Sequence, residues 1–247
     1  MKPRRYLAIA LLEAGLLLTA ACSAHNDTDG ASSSAPASSA GAAKTSTTPG
    51  VFAEGKQYVR IAQPGEKASG PVVIVEVFSY ACPHCAEFAP VFDQLRAKLP
   101  KDVQVRYMPA VFNEAWEPYA RAFYAAKQLG ALQSTHDALF KAIEEHYPLN
   151  SLEDLADFYS SHGVDRQKFL DAAKSPLTDA QMAADQKMEQ SWGIDATPTL
   201  VVGRLQSNPS SAWVVADYRS NEVGSYAELA LVGSFLVQQE EKASKRP

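Results

Sequence analysis

Hydrophobic positions along the chain follow two periods, and the switches between them outline the elements. Residues 71–78 read Pro-Val-Val-Ile-Val-Glu-Val-Phe. A short, continuous, β-branched run of this kind predicts a strand buried on both faces. Gln57 to Ala62 predicts a strand before it, and Val103 to Tyr107 one after it. Between the last two, Phe88, Val91, Phe92 and Leu95 recur at helical spacing and put one apolar face on a helix. The stretch from Tyr107 to Thr197 has no convincing strand. Helical patterns there cover roughly 114–128, 134–145, 151–162 and 165–191, the last broken near Pro176. Ser151 with Asp154, and Ser225 with Glu228, have the spacing of capping boxes. The second of these opens a final helix to about Glu240. Thr199 to Val202 and Ala212 to Ala216 complete the strands. The order is β-β-α-β, a run of helices, then β-β-α. It predicts an α/β fold, a sheet flanked by helices with an all-helical domain inserted into it. The sheet domain is expected at 51–110 and 192–247, with the helical insertion at 111–191.

The first fifty residues follow neither period. Lys2, Arg4 and Arg5 precede an apolar stretch from Tyr6 to Ala21, closed by small residues. This is the composition of a secretion signal, expected at 1–21. The stretch is shorter than a spanning helix needs, and Glu13 interrupts it. Leu18-Thr19-Ala20-Ala21-Cys22 resembles the lipobox of bacterial lipoproteins, and that resemblance implies cleavage before Cys22 and lipidation of its sulfur. From Ser23 to Gly50 the chain is mostly Ser, Ala, Thr, Gly and Pro, with almost no large apolar residue. Such a segment cannot bury enough surface to offset its ordering entropy, so 22–50 is expected to be a disordered tether. As a coil, its span is on the order of 30 Å. Charge excludes one class of partner. With 23 basic and 28 acidic residues, the chain lacks the basic footprint of a nucleic-acid binder.

Cysteine is scarce. Cys22, Cys82 and Cys85 are the whole complement, too few for a disulfide-stapled scaffold. Cys82-Pro83-His84-Cys85 falls where a strand gives way to a helix. The first cysteine of such a motif meets unpaired backbone N–H groups and the positive end of the helix dipole. Both favour thiolate over thiol and lower the pKa. Pro83 suits the first helical turn, where its missing N–H is no loss. His84 adds a polar or positive neighbour. Cys82 is expected to be the exposed member and Cys85 the inward one. A metal site is disfavoured, since the motif supplies two zinc ligands of the four needed. His25, His136, His146 and His162 have no matching spacing. Ala86 after Cys85 excludes a haem-attachment motif, and an inert disulfide closing so small a loop would stabilise little. The pair is therefore read as a redox centre needing no cofactor and no metal.

With Phe78-Ser79-Tyr80 before it, Cys-Pro-His-Cys resembles the DsbA family of periplasmic dithiol oxidases, in the thioredoxin superfamily. The likeness includes Glu54-Gly55-Lys56-Gln57-Tyr58 ahead of the first strand and Gly203-Arg204-Leu205-Gln206-Ser207-Asn208-Pro209 after the fourth. The resemblance implies a thioredoxin-like sheet, Cys82 as nucleophile and Cys85 as its buried partner. It implies that Thr197-Pro198 is a cis peptide facing the disulfide, with residue 197 offering its backbone to the substrate chain. Pro90 stands where thioredoxins carry a helix proline. Glu76 lies inside the buried strand, where an unpaired carboxylate has a raised pKa. An acid held there can exchange a proton with Cys85, and the matching family position carries one. Trp116, Tyr119, Phe123 and Tyr124 are read as core, Val111 and Phe112 as lining for a peptide groove.

On this reading the chain oxidises exported proteins that carry free thiols, acts as a monomer, and passes its electrons to a quinone-linked membrane oxidase of the DsbB type. Two other readings stand beside it. An isomerase or reductase is favoured by Thr197, since threonine is frequent there in isomerases and valine in oxidases. Isomerases of the superfamily usually carry an N-terminal dimerisation domain, and residues 23–50 are too short and too polar to form one. A metal-binding chaperone using both cysteines is the third.

Overall fold

The structure is a computed structural model and describes residues 52–61, 70–205, 212–215 and 223–244. Cys22, the signal and the tether lie outside the described residues. Five strands form one mixed sheet: β1 (Tyr58–Arg60), β2 (Val73–Phe78), β3 (Gln104–Pro109), β4 (Thr199–Gly203) and β5 (Ala212–Val215). Their order across the sheet is β1-β5-β4-β2-β3. Only β2 and β3 run parallel; β2 meets β4, β4 meets β5, and β1 meets β5 antiparallel. Helix α1 (Pro83–Arg96) supplies the crossover between the parallel pair.

β2 is central and buried along its whole length, which is why its sequence does not alternate. Ile74, Leu200, Val202 and Val215 face one side, where they pack with Phe88, Phe92 and Leu95 of α1 and with Leu229, Val232 and Leu236 of the last helix. That helix is α7 (Tyr226–Ser244). Val73, Val75, Val77, Val201 and Val214 face the other side with Met108 and Trp192. A Cβ on Gly233 would sit 2.8 Å from the Leu200 Cδ1, so any larger residue there would make the Leu200 side chain shift.

Between β3 and β4 come α2 (Glu117–Gln128), α3 (Leu132–Glu144), α4 (Leu152–Ser161), α5 (Arg166–Ala173) and α6 (Pro176–Trp192). The expected helix at 114–128 begins as a 3-10 turn over Glu114–Trp116, and the α-helix proper starts one residue before Pro118. The expected break near Pro176 is real. The Ser175 hydroxyl accepts the Thr178 N–H and Pro176 takes the first helical position, so a new helix starts there. Ser151 and Asp154 cap α4 reciprocally, at 3.1 and 3.0 Å. Ser225 accepts the Glu228 N–H at 3.2 Å and fixes the start of α7. These helices share a core of their own, built on Phe123, Leu139, Phe140, Leu155, Tyr159 and Phe169. Phe78, at the end of β2, and Tyr80, Cys82 and Cys85 after it pack into that core. Buried Asp185 of α6 ties it further, accepting hydrogen bonds from Arg106 of β3 and Tyr124 of α2.

Candidate active site

Cys82 ends the turn that follows β2. Its N–H donates to the Ser79 carbonyl at 3.1 Å, and its own carbonyl accepts the Cys85 N–H at 3.0 Å. It occupies the N-cap position of α1 in extended backbone, with no side-chain cap, and Pro83 follows at the first helical position. Both cysteines are free thiols. Cys85 is fully buried; Cys82 is 5% exposed. Cys82 is thus the more accessible of the two, but it is not open to solvent as its place in the motif suggested. The physical reason is the loop before β4. Strand pairing sets Thr199 opposite Val77, so the Thr197–Pro198 peptide falls beside the end of β2. That peptide is cis, and the Thr197 carbonyl lies 3.5 Å from the Cys82 sulfur.

Two sulfurs in one turn are held in opposite states. The Cys82 thiol is lowered to about 6, first by the hydrogen bond from the Cys85 thiol. The Thr197 side chain and the backbone N–H groups of Cys85 and His84 lower it further, against the desolvation that raises it. Thr197 acts both ways: its carbonyl accepts from the neutral thiol, while its hydroxyl favours the charged sulfur. Burial pushes the Cys85 thiol well up, and the charge and hydrogen bond of Cys82 push it further.

Glu76 is 2% exposed, and one of its carboxyl oxygens has no hydrogen-bond partner. Burial raises its pKa well above the carboxylate range, Asp93 adds to this and Arg96 opposes it. Burial thus favours the neutral acid over the carboxylate. Glu76 shares its sheet face with Ile74 and Phe78, the face that α1 covers.

The His84 backbone N–H favours the charged Cys82 sulfur. The His84 imidazole Nδ1 lies 2.9 Å from the Tyr226 hydroxyl, which donates to Glu87 at 2.9 Å. Pro90 sits inside α1 without ending it. Phe123 and Tyr124 are core residues, whereas Trp116 and Tyr119 are half-buried. Val111 and Phe112 follow β3, and the Phe112 ring, 39% exposed, rests 5.4 Å from that of Trp116.

Two contacts at this site were missed in the sequence. Tyr226 reaches the motif from 142 residues away, and the only local signal was the capping box that places it at the start of α7. Tyr80 bonds the buried His136 at 2.7 Å, across 56 residues. His136 is ringed by Phe78, Tyr107 and Phe140, and burial lowers its pKa to about 4, which keeps it neutral.

Comparison with known proteins agrees with this geometry. The family model described as thioredoxin matches residues 64–213. The thiol:disulfide interchange protein DsbA of Pseudomonas aeruginosa is 31% identical over 198 residues, covering 79% of this chain and 89% of that protein. Its namesake from Azotobacter vinelandii is 33% identical over 187 residues, covering 70% and 85%. The crystal structure of Pseudomonas aeruginosa DsbA superposes with a TM-score of 0.68 at 31% identity, covering 79% of this chain and 97% of that one. The chain belongs to the DsbA family of thiol:disulfide oxidoreductases, within the thioredoxin superfamily.

Proposed function

We propose that the chain is a periplasmic dithiol oxidase that introduces disulfide bonds into exported proteins through Cys82 and Cys85. The observation that carries this reading is the split between the two sulfurs, Cys82 favoured as thiolate and Cys85 held as thiol. In the oxidised enzyme a client thiolate attacks the Cys82 sulfur. The Cys82–Cys85 bond breaks, and the Cys85 sulfur leaves with the electron pair and takes a proton from Glu76. A second client thiolate attacks the client sulfur of the mixed disulfide, and Cys82 leaves as a stabilised thiolate. The client dithiol has lost two electrons to the enzyme. A leaving thiol of low pKa leaves faster, and a stabilised reduced form makes the disulfide more oxidising. Thr197 presents its carbonyl beside the reacting sulfur, where an extended client chain can pair with it. The enzyme then returns its electrons to a quinone-linked membrane partner of the DsbB type.

The reduction potential of the Cys82–Cys85 pair, measured against glutathione, tests the direction of transfer. It is expected to lie well above the thioredoxin value of about −270 mV. A thioredoxin-like potential would move the assignment to the isomerase or reductase that Thr197 favours.

The lipobox-like run ending at Cys22 supports a lipid anchor, with 23–50 as the spacer. Cys22→Ala is expected to shift the protein from the membrane to the soluble periplasmic fraction. A wild-type protein already found wholly in the soluble fraction rules the anchor out.

A further inference from the structure

Buried polar atoms in a native fold find partners, so one without any calls for an account. Glu189 of α6 is such a case. It is 5% exposed, and its Oε1 is fully buried with no hydrogen-bond partner. Burial, and then the charge of Asp185 one turn earlier, push its pKa up to about 8. Asp185 is satisfied by Arg106 and Tyr124. Glu189 has no such pair and instead lines a cavity of about 290 Å³ between α2, α6 and the end of β3.

The make-up of this cavity defines what fits. Pro109, Val111, Met182 and Ala183 give it apolar walls. Glu117 and Asp179 also line it, with side chains about half exposed. Arg121, the one cation among its described lining residues, is already committed. It donates to Glu117 at 2.9 Å, to Asp179 at 2.8 Å and to the Ala173 carbonyl at 3.0 Å. Three carboxyls thus stand against one guanidinium. The volume falls at the lower bound of small-molecule sites, about 300–1,000 Å³. It suits one extended side chain with an apolar stem and a cationic tip. A compact ammonium matches a single unpartnered carboxyl better than a broad guanidinium does.

The cavity also lies at the reactive end of the sheet. Pro109 pairs with Phe78, and the Ala110 N–H donates to the Phe78 carbonyl at 2.7 Å, four residues before Cys82. Beyond Glu189, α6 ends at Trp192, five residues before Thr197. We propose that this cavity receives a lysine side chain of the client, with Glu189 as the carboxylate that holds its ammonium group. The inference rests on the oxidase reading and names a class of client for it, chains with a lysine near the reacting cysteine. Binding moves one proton and no electrons. The Glu189 acid gives its proton to solvent as the ammonium arrives, and the two charges pair where either alone would be costly. The other charged and titratable groups around Glu189 are Asp179 and Asp185 of α6, Glu117, Arg121 and Tyr124 of α2, and Arg106 of β3. They are held in contact with one another, so the titration of Glu189 gates the site.

The test compares dithiol peptides carrying one lysine with the same peptides carrying norleucine. The variable position is moved through about six residues on either side of the reacting cysteine, roughly 20 Å of extended chain. The readout is the ratio of the two kcat/KM values, in which the pH dependence of the shared chemistry cancels. At the best position the lysine preference is expected to rise from near one at about pH 6.5 to about tenfold at about pH 8.5. Glu189 ionises through about 8 in that range while the ammonium stays charged. A lysine that acts only by lowering the pKa of the client cysteine gives the reverse trend, a preference that fades as pH passes that of the thiol. In Glu189→Gln the preference is expected to be lost at every pH, since the amide carries no charge. The wild-type trend is read without any variant, so a Glu189→Gln protein that fails to fold leaves the test standing. A wild-type ratio of one at all positions, or one that does not rise with pH, overturns the lysine site; norleucine peptides that are still oxidised leave the oxidase reading in place. A preference that survives in Glu189→Gln overturns the site as well. Oxidation of neither peptide overturns the oxidase reading, and the site with it.

Discussion

Cys85→Ser is expected to accumulate mixed disulfides with client proteins, whereas Cys82→Ser is expected to form none and to oxidise nothing. Both outcomes follow from where the sulfurs sit. Cys82 is the more accessible of the two sulfurs and lies beside the Thr197 carbonyl, and its thiol is lowered to about 6. Cys85 is fully buried and its thiol is raised. A client disulfide can form with the first sulfur only. With Cys85 replaced, the Cys82 thiolate attacks a disulfide of an oxidised client and a client thiolate leaves; the adduct then lacks the neighbouring thiol that could break it from within, and it persists until a second thiol arrives. The adducts are read as thiol-sensitive bands on non-reducing gels, and oxidase activity as the rate of dithiol peptide oxidation. Adducts formed by Cys82→Ser, or their absence from Cys85→Ser, would reverse the assigned roles. The effect also has a pH side. A thiol whose pKa is depressed in the folded, reduced protein stabilises that form most fully above its unfolded pKa, near 8.5. The stabilisation is lost as pH falls through about 6. Attack on client disulfides by the reduced wild-type enzyme therefore weakens in that acid range.

Phe78→Ala is expected to be the most damaging core change. Phe78 is fully buried at the end of β2, four residues before Cys82. Its ring meets those of Tyr80, Tyr107, Phe123, His136 and Phe140, at centroid distances from 5.1 to 6.0 Å. It is where the sheet and the core of the inserted helices meet. Removing a buried phenylalanine destabilises by about 3–5 kcal/mol through lost transfer energy and a residual cavity. Here the cavity opens under the Tyr80–His136 hydrogen bond, so the turn bearing Cys82 loosens too. Urea unfolding of the reduced protein measures the loss; a change below about 1 kcal/mol would show that the surrounding rings close over the gap.

The sheet and the reactive pair were legible because their signals are local. The apolar run of β2, the cysteine spacing of the motif and the capping pairs are each readable within a few residues. The break at Pro176 was readable for the same reason, since a proline without an N–H and a serine hydroxyl suffice to end one helix and begin another. What failed to show was side-chain direction. The His84 ring meets the Tyr226 hydroxyl, and no period connects residues 84 and 226. The near-burial of Cys82 was hidden likewise. It depends on a loop 115 residues further on, delivered by the antiparallel register of β4 against β2. Tyr107 and His136 read as ordinary strand and helix residues until the fold gave them a shared cavity.

The start of α1 has a consequence for what drives the chemistry. A helix usually opens on a serine, threonine, aspartate or asparagine whose oxygen accepts the N–H groups of the second and third helical residues. This one opens on Cys82, which as a neutral thiol makes no such bond. The second and third residues are His84 and Cys85, and their N–H groups are among those that favour the charged sulfur. The helix therefore acquires its missing cap only when a client has been oxidised and the thiolate released. Part of the free energy that makes the disulfide oxidising is the completion of a helix that is left unfinished until the reaction finishes it.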